Sequence, residues 1–177
     1  MTLHQTIQLA ADSGFDAVGF DVREVEQLAD ESGLDSVRAL FADAGIRPAF
    51  WGVPVSWRHD ETTADDLDRL VGRAALARDL GCPRALTGVM PGSDERDYAE
   101  NFAWHVERLR PIAQTLADAG CLPGIEFIGT KTLRGKFRYE FVYSLPQFLE
   151  LAAAIGTGNV GALLDAWHLY TSHGSNA

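Results

Sequence analysis

A chain of 177 residues is long enough for one core-bearing domain and short for two. Apolar residues make up 46% and charged residues 23%, an ordinary globular balance, and no stretch approaches the ~20 apolar residues of a membrane span. The formal net charge of −10 works against broad contact with a phosphodiester backbone, so neither nucleic acid nor membrane is expected as a partner.

In chain order, Met1 to Ala11 has no basic start and no apolar run, so it reads as the opening of a helix and not as a signal peptide. That helix-like segment ends in Ala10-Ala11-Asp12-Ser13-Gly14, and a short apolar run, Phe15 to Phe20, follows. The same order returns at Phe41-Ala42-Asp43-Ala44-Gly45 before Ile46 to Trp51. It returns at Ala77-Arg78-Asp79-Leu80-Gly81 before Ala85 to Val89, and at Leu116-Ala117-Asp118-Ala119-Gly120 before Gly124 to Ile128. Its last instance is Ala152-Ala153-Ala154-Ile155-Gly156 before Val160 to Leu164. Glycine at such points stops a helix in the left-handed conformation without a Cβ clash. The gaps between these glycines, 31, 36, 39 and 36 residues, each hold one strand and one helix. This regularity predicts a parallel α/β fold.

Two helices show the expected stripes. Asp65 to Leu80 places Leu67, Leu70, Val71, Ala74 and Ala75 together, and Tyr98 to Ala119 does so with Phe102, His105, Val106, Leu109, Ile112 and Leu116. The strands are short, apolar and bounded by Gly or Pro, as in a sheet covered by helices. Cys82 and Cys121 form no metal motif and no disulfide framework; they read as reduced core thiols, which suits a cytoplasmic protein.

An open doubly wound sheet and a closed eight-stranded barrel both use such units. No Gly-x-Gly-x-x-Gly or Gly-x-x-x-x-Gly-Lys-Ser/Thr follows a strand, so the nucleotide-binding open sheets lack their usual sign. Units of this length suit a (β/α)8 barrel of roughly 250 residues. About five parallel strands with five helices are expected here, and five strands cannot close a barrel. Residues 1–177 are therefore read as a single incomplete barrel domain, cut at both ends, whose open sheet edges favour self-association or a homo-oligomer. The longest loops, Gly88 to Arg96 and Gly129 to Tyr139, follow strands and belong to the carboxyl-end face, where barrel enzymes build their sites.

Glu126 interrupts the apolar strand Gly124-Ile125-Glu126-Phe127-Ile128-Gly129, and Asp165 ends the strand Val160-Gly161-Ala162-Leu163-Leu164-Asp165. They are one repeat apart, which puts them on adjacent strands spaced by about 4.8 Å. Two carboxylates that close repel unless a proton or a cation lies between them. Oxygen ligands suit Mn²⁺ or Mg²⁺, and Zn²⁺ or Co²⁺ if imidazole joins. The competing reading is structural: Asp165 caps a helix beginning at Ala166, and Glu126 pairs with a nearby Arg. For Glu126 that alternative is weaker, because an unpaired carboxylate inside a strand is costly to bury.

The Glu126 strand, followed by Leu164-Asp165-Ala166-Trp167-His168-Leu169-Tyr170, resembles the xylose isomerase-like barrel family. The similarity runs through essentially the whole chain, and the Asp-x-x-His motif is its most specific part. The resemblance implies that Glu126 is a metal ligand that also handles the substrate proton, and that Asp165 is a second ligand. It implies that His168 contacts a substrate hydroxyl or carbonyl oxygen. The family pattern also includes a ligand from the next strand, usually His, and a Glu from the last strand, neither of which this chain contains. The implied activity is metal-dependent isomerisation or epimerisation of a small sugar, sugar phosphate or polyol through an enediolate. A dehydratase of the inosose type is the alternative on the same barrel, and a truncated barrel that only binds or assembles is the non-enzymatic one. A related branch cleaves abasic DNA with a zinc cluster; the acidic balance and the lack of further His ligands speak against it.

Four basic residues, Lys131, Arg134, Lys136 and Arg138, fall in the loop after the Glu126 strand, where they suit a substrate phosphate or carboxylate, or equally a solvated loop. Trp51, Trp57 and Trp167 stand at or past strand ends and suit either the apolar wall of a sugar pocket or rim packing. His4 and His105 lie on helices and read as structural. His59 and His173 carry no assigned role.

Overall fold

The computed structural model describes residues 1–172, so His173 lies outside the described residues. The elements run in chain order as α1 (Leu3–Asp12), β1 (Ala17–Phe20), α2 (Val22–Ser32), α3 (Leu34–Asp43), β2 (Arg47–Gly52), α4 (Asp60–Asp79), β3 (Arg84–Val89) and β4 (Gly92–Ser93). They continue with α5 (Tyr98–Asp118), β5 (Leu122–Phe127), α6 (Lys131–Arg134), β6 (Tyr139–Glu140), α7 (Leu145–Ile155), β7 (Gly161–Leu163) and α8 (Ala166–Ser172). The five-stranded sheet has the order β1-β2-β3-β5-β7, and β4 and β6 form a separate two-stranded ribbon.

All five repeat glycines have a positive φ, from 67° at Gly45 to 92° at Gly81. At three of them the next residue closes the helix end, with Phe15 N–H donating to Ala10 O, Ile46 N–H to Phe41 O and Cys82 N–H to Ala77 O. This bond five residues back is what the left-handed residue permits, and it turns the chain straight into the following strand.

The five expected helices become eight among the described residues. Gly33, at φ 84°, divides the helical stretch after β1 into α2 and α3. The short helix α6 follows β5, where loop was expected, and α8 follows β7. The two long loops are not free either. Their segments pair antiparallel in the β4–β6 ribbon, with Gly92 opposite Glu140 and Ser93 opposite Tyr139. Phe141 N–H donates to Pro91 O at 2.8 Å and Arg138 N–H to Asp94 Oδ1 at 2.9 Å.

Contacts divide the chain into two units, Met1–Ala85 with Asp118–Cys121, and Leu86–Ala117 with the chain from Leu122 onward. In the first, β1 and β2 run parallel with Ala17 opposite Arg47, and Phe20 meets the Phe41 ring edge-on at 6.1 Å. Ile7, Val22, Val37, Phe41, Trp51, Leu70 and Ala74 are buried. The α4 stripe is rotated from its expected face: Val71 is exposed, while Arg73 is buried and bonds Glu26 Oε2 at 2.9 Å through Nε. A salt-bridged arginine satisfies its charge locally, so its long stem can take the inward position.

Cys82 and Cys121 are buried thiols outside any disulfide, and burial pushes both above the ordinary thiol range, which leaves them protonated and inert. In the second unit β5 and β7 run parallel, and α5 buries His105, Leu109, Ile112 and Leu116. His105 stacks on Phe141 at 4.4 Å and its Nδ1 lies 2.8 Å from Asn101 O, a structural placement. Among the described residues no helix is long and apolar enough to cross a membrane.

Candidate active site

Strand alternation sets the first carboxylate. Ile125 and Phe127 point into the core at 2% and 1% exposure, which turns Glu126 to the other face, half-buried. Glu126 stands opposite Leu163 in the β5–β7 register. Asp165 lies two residues beyond that partner, past the strand end and not within it as its sequence suggests. Ligand atoms of Glu126, Asp165 and His168 all fall within 4.8 Å of one another.

The Asp-x-x-His spacing has a local cause. Asp165 Oδ1 accepts the backbone N–H groups of Trp167 at 2.6 Å and His168 at 3.3 Å, and Asp165 O accepts Leu169 N–H at 2.9 Å. Asp165 therefore does cap the helix that begins at Ala166, as its structural alternative predicts. The cap bonds use one carboxylate oxygen, Oδ1, and the same carboxylate belongs to the cluster with Glu126 and His168. Capping and clustering are one arrangement: the cap starts α8, and the first turn of α8 delivers His168 beside the carboxylate that caps it.

His168 Nδ1 is buried with no hydrogen-bond partner. Leaving a buried nitrogen unpaired costs about 1–3 kcal/mol, and no group among the described residues pairs with this one. Two carboxylates and an imidazole at this spacing form a donor set that a divalent cation fits.

Two glycines shape the surroundings. A Cβ on Gly88 would lie 3.8 Å from Glu126 Cβ and 4.0 Å from its Oε2, ordinary contact distances that glycine leaves open beside the carboxylate. A Cβ on Gly129 would collide with the carbonyl oxygen of His168 and lie 2.9 Å from Ser172 N. The backbone of α8 thus rests directly on the chain leaving β5. Sequence reasoning missed Gly129, although a glycine two residues beyond a strand was a visible sign of close approach.

The remaining sequence candidates are placed as follows. Arg134 is buried; Nη1 donates to Gly129 O at 2.8 Å, Nε lies 3.6 Å from Glu140 Oε1, and the guanidinium lies over the Tyr143 ring at 3.8 Å. These contacts make it a brace for the loop after β5, and Lys131 stands exposed at the start of α6. Trp51 has 0% exposure and donates its indole N–H to Cys82 O at 3.1 Å, so it presents no surface to a ligand. Trp57 is buried beneath Arg58, whereas Trp167 is 60% exposed. Arg134→Ala is expected to lower stability by about 2 kcal/mol, since it strands a buried carbonyl and removes a cation–π contact. Urea unfolding measures this, and an unchanged midpoint would show that the brace is idle.

Residues 7–177 match the family model described as xylose isomerase-like TIM barrel, and the chain belongs to that family. Among solved structures, a xylose isomerase domain protein from Alicyclobacillus acidocaldarius superposes with a TM-score of 0.86 at 31% identity, over 97% of this chain and 61% of that one. A D-psicose 3-epimerase solved in the presence of D-fructose gives 0.71 at 19% identity, over 99% and 62% of the two chains. The IolI protein, solved with a bound zinc atom, gives 0.70 at 19% identity, also over 99% and 62%. The chain thus spans 61–62% of the length of these structures, and its strands and helices are those of a partial barrel. A search of curated proteins found no match.

Proposed function

We propose that Glu126, Asp165 and His168 hold a divalent cation, and that Glu126 transfers the proton of a carbon beside a carbonyl in isomerising or epimerising a small sugar, sugar phosphate or polyol. The observation that carries this reading is the convergence of the three ligand atoms within 4.8 Å, together with the orphaned Nδ1 of His168. Mn²⁺ and Mg²⁺ suit the carboxylates, and the imidazole admits Zn²⁺ or Co²⁺. A cation bound there supplies Lewis acidity to a carbonyl oxygen of the substrate.

The protein's own residues do the rest. Glu126 presents a half-buried carboxylate at the carboxyl end of β5, the end at which barrel enzymes bind substrate. Gly88 puts no side chain beside this carboxylate, where a Cβ would lie 4.0 Å from Glu126 Oε2. Removal of the proton beside the carbonyl leaves the substrate as an enediolate, and return of a proton completes the interconversion. Asp165 holds its place through the cap bonds and aligns His168, whose ring nitrogen would join the two carboxylates on the cation without entering the proton path.

Asp165→Asn keeps an oxygen to accept the Trp167 and His168 N–H groups but loses the charge. It is expected to weaken Mn²⁺ binding by about 10–100-fold, with helix content unchanged and part of the lost rate restored by excess Mn²⁺. His168→Gln is expected to weaken Mn²⁺ binding as well, and at saturating Mn²⁺ to lower turnover less than loss of the Glu126 carboxylate does. Calorimetric Mn²⁺ titration and steady-state kinetics test both. Unaltered Mn²⁺ affinity in Asp165→Asn would remove it from the site. Product mass separates the chemistries, because isomerisation conserves mass and dehydration loses water.

A further inference from the structure

We propose that the first unit carries a second site, independent of the metal reading: an oxyanion pocket for the phosphate or carboxylate of a small metabolite, built from Arg23, Arg69 and Arg73. A cavity of 320 Å³ is lined by these three arginines together with Asp66, Ser56 and Pro54, among other residues. It lies where the chain leaves the carboxyl end of β2, between the first turn of α2 and one face of α4. That strand end is where α/β barrels receive ligands, and the volume suits a small molecule.

The donors of this pocket are only partly spent. Arg73 is 7% exposed and uses Nε on Glu26, which leaves both Nη groups without a protein hydrogen bond. Arg23 bonds Asp21 through Nε and Nη2 and keeps Nη1. Arg69 has no hydrogen bond or ion pair among the described residues. Each is a planar fork suited to a carboxylate or phosphate edge.

The cavity lining itself carries more basic than acidic residues. The lining sets three guanidiniums against the single carboxylate of Asp66, in a chain of net charge −10. Asp66 is itself engaged, since its Oδ2 accepts Ser56 N–H at 2.8 Å and so fixes the segment after β2. Asp21 and Glu26 hold Arg23 and Arg73 from outside the lining, orienting the forks without filling the cavity. The unspent Nη groups of Arg73 and the exposed Arg69 guanidinium remain open to solvent, and an oxyanion would take the place of water there.

The test is a titration of the ¹⁵N-labelled chain, reading the arginine Nε–Hε resonances, with inorganic phosphate in one arm and malonate in the other. Sodium chloride holds the ionic strength constant, so general screening cancels. Saturable shifts at Arg69 and Arg73 are expected, and Arg69→Ala should weaken binding by about tenfold or more through loss of a charge-assisted bond. Because Arg69 lies on the exposed side of α4, its melting temperature should not move. Arg73→Lys, which keeps charge but loses the fork, should weaken binding as well. Saturation with phosphate alone or malonate alone identifies which oxyanion the pocket takes. Shifts that stay linear in both arms, or wild-type affinity in Arg69→Ala, would overturn the site.

Discussion

Glu126→Gln is expected to slow solvent-deuterium exchange at the carbon beside the substrate carbonyl by about 10²–10⁴-fold, the range for loss of a positioned general base. Glutamine keeps the size of the side chain and an oxygen acceptor, so the β5–β7 pairing and the contact beside Gly88 should persist. What disappears is the basic oxygen and one negative charge of a three-ligand cluster held within 4.8 Å. Cation binding should therefore weaken in the same variant, and saturating Mn²⁺ should restore occupancy but not exchange. NMR of a ketose in D₂O reads the chemical step, and calorimetry reads the cation. Full exchange in Glu126→Gln at full occupancy would mean that another group takes the proton.

Gly129→Ala is expected to disturb the site without touching any proposed ligand. The added Cβ collides with the His168 carbonyl oxygen and presses on Ser172 N, and both are backbone atoms of α8 that no rotamer change can clear. Either α8 shifts or the chain after β5 does, and overpacking of this kind costs about 1–3 kcal/mol. The first turn of α8 carries His168 and takes its cap from Asp165, so a shift pulls two ligands away from Glu126. Mn²⁺ affinity should fall by about tenfold or more, in the range seen when the surroundings of metal ligands are altered. Wild-type affinity together with a lowered melting temperature would show that α8 yields as a unit and leaves the cluster intact.

The fold was largely legible because its punctuation is chemical. A glycine that must adopt positive φ after each helix is visible as a letter, and Gly14, Gly45, Gly81, Gly120 and Gly156 all adopt it. The adjacency of Glu126 and Asp165 followed from the same repeat, since one unit separates neighbouring parallel strands. Other features depend on contacts that exist only once the chain is folded. Trp51 stands at a strand end, as a pocket wall would, yet its indole finds Cys82 O and closes into the core. Arg134 sits in a run of basic residues that suggested solvent or substrate, but Gly129 O and the Tyr143 ring draw it inward. Val71 leaves its expected stripe and Arg73 is buried instead, with Glu26, 47 residues away, supplying the counter-charge. No periodicity encodes such a partner.

The β4–β6 ribbon has a consequence for how this scaffold can be altered. The segment after β3 and the segment after β5 are stitched to each other by Gly92, Ser93, Tyr139 and Glu140, and a Cβ on Gly92 would lie 2.5 Å from Phe137 Cβ. They behave as one module with two attachment points. Recombination that brings in one segment without its mate leaves unpaired backbone on one side and a mismatched ring on the other. A graft from a relative therefore has to transplant both halves of the clasp together.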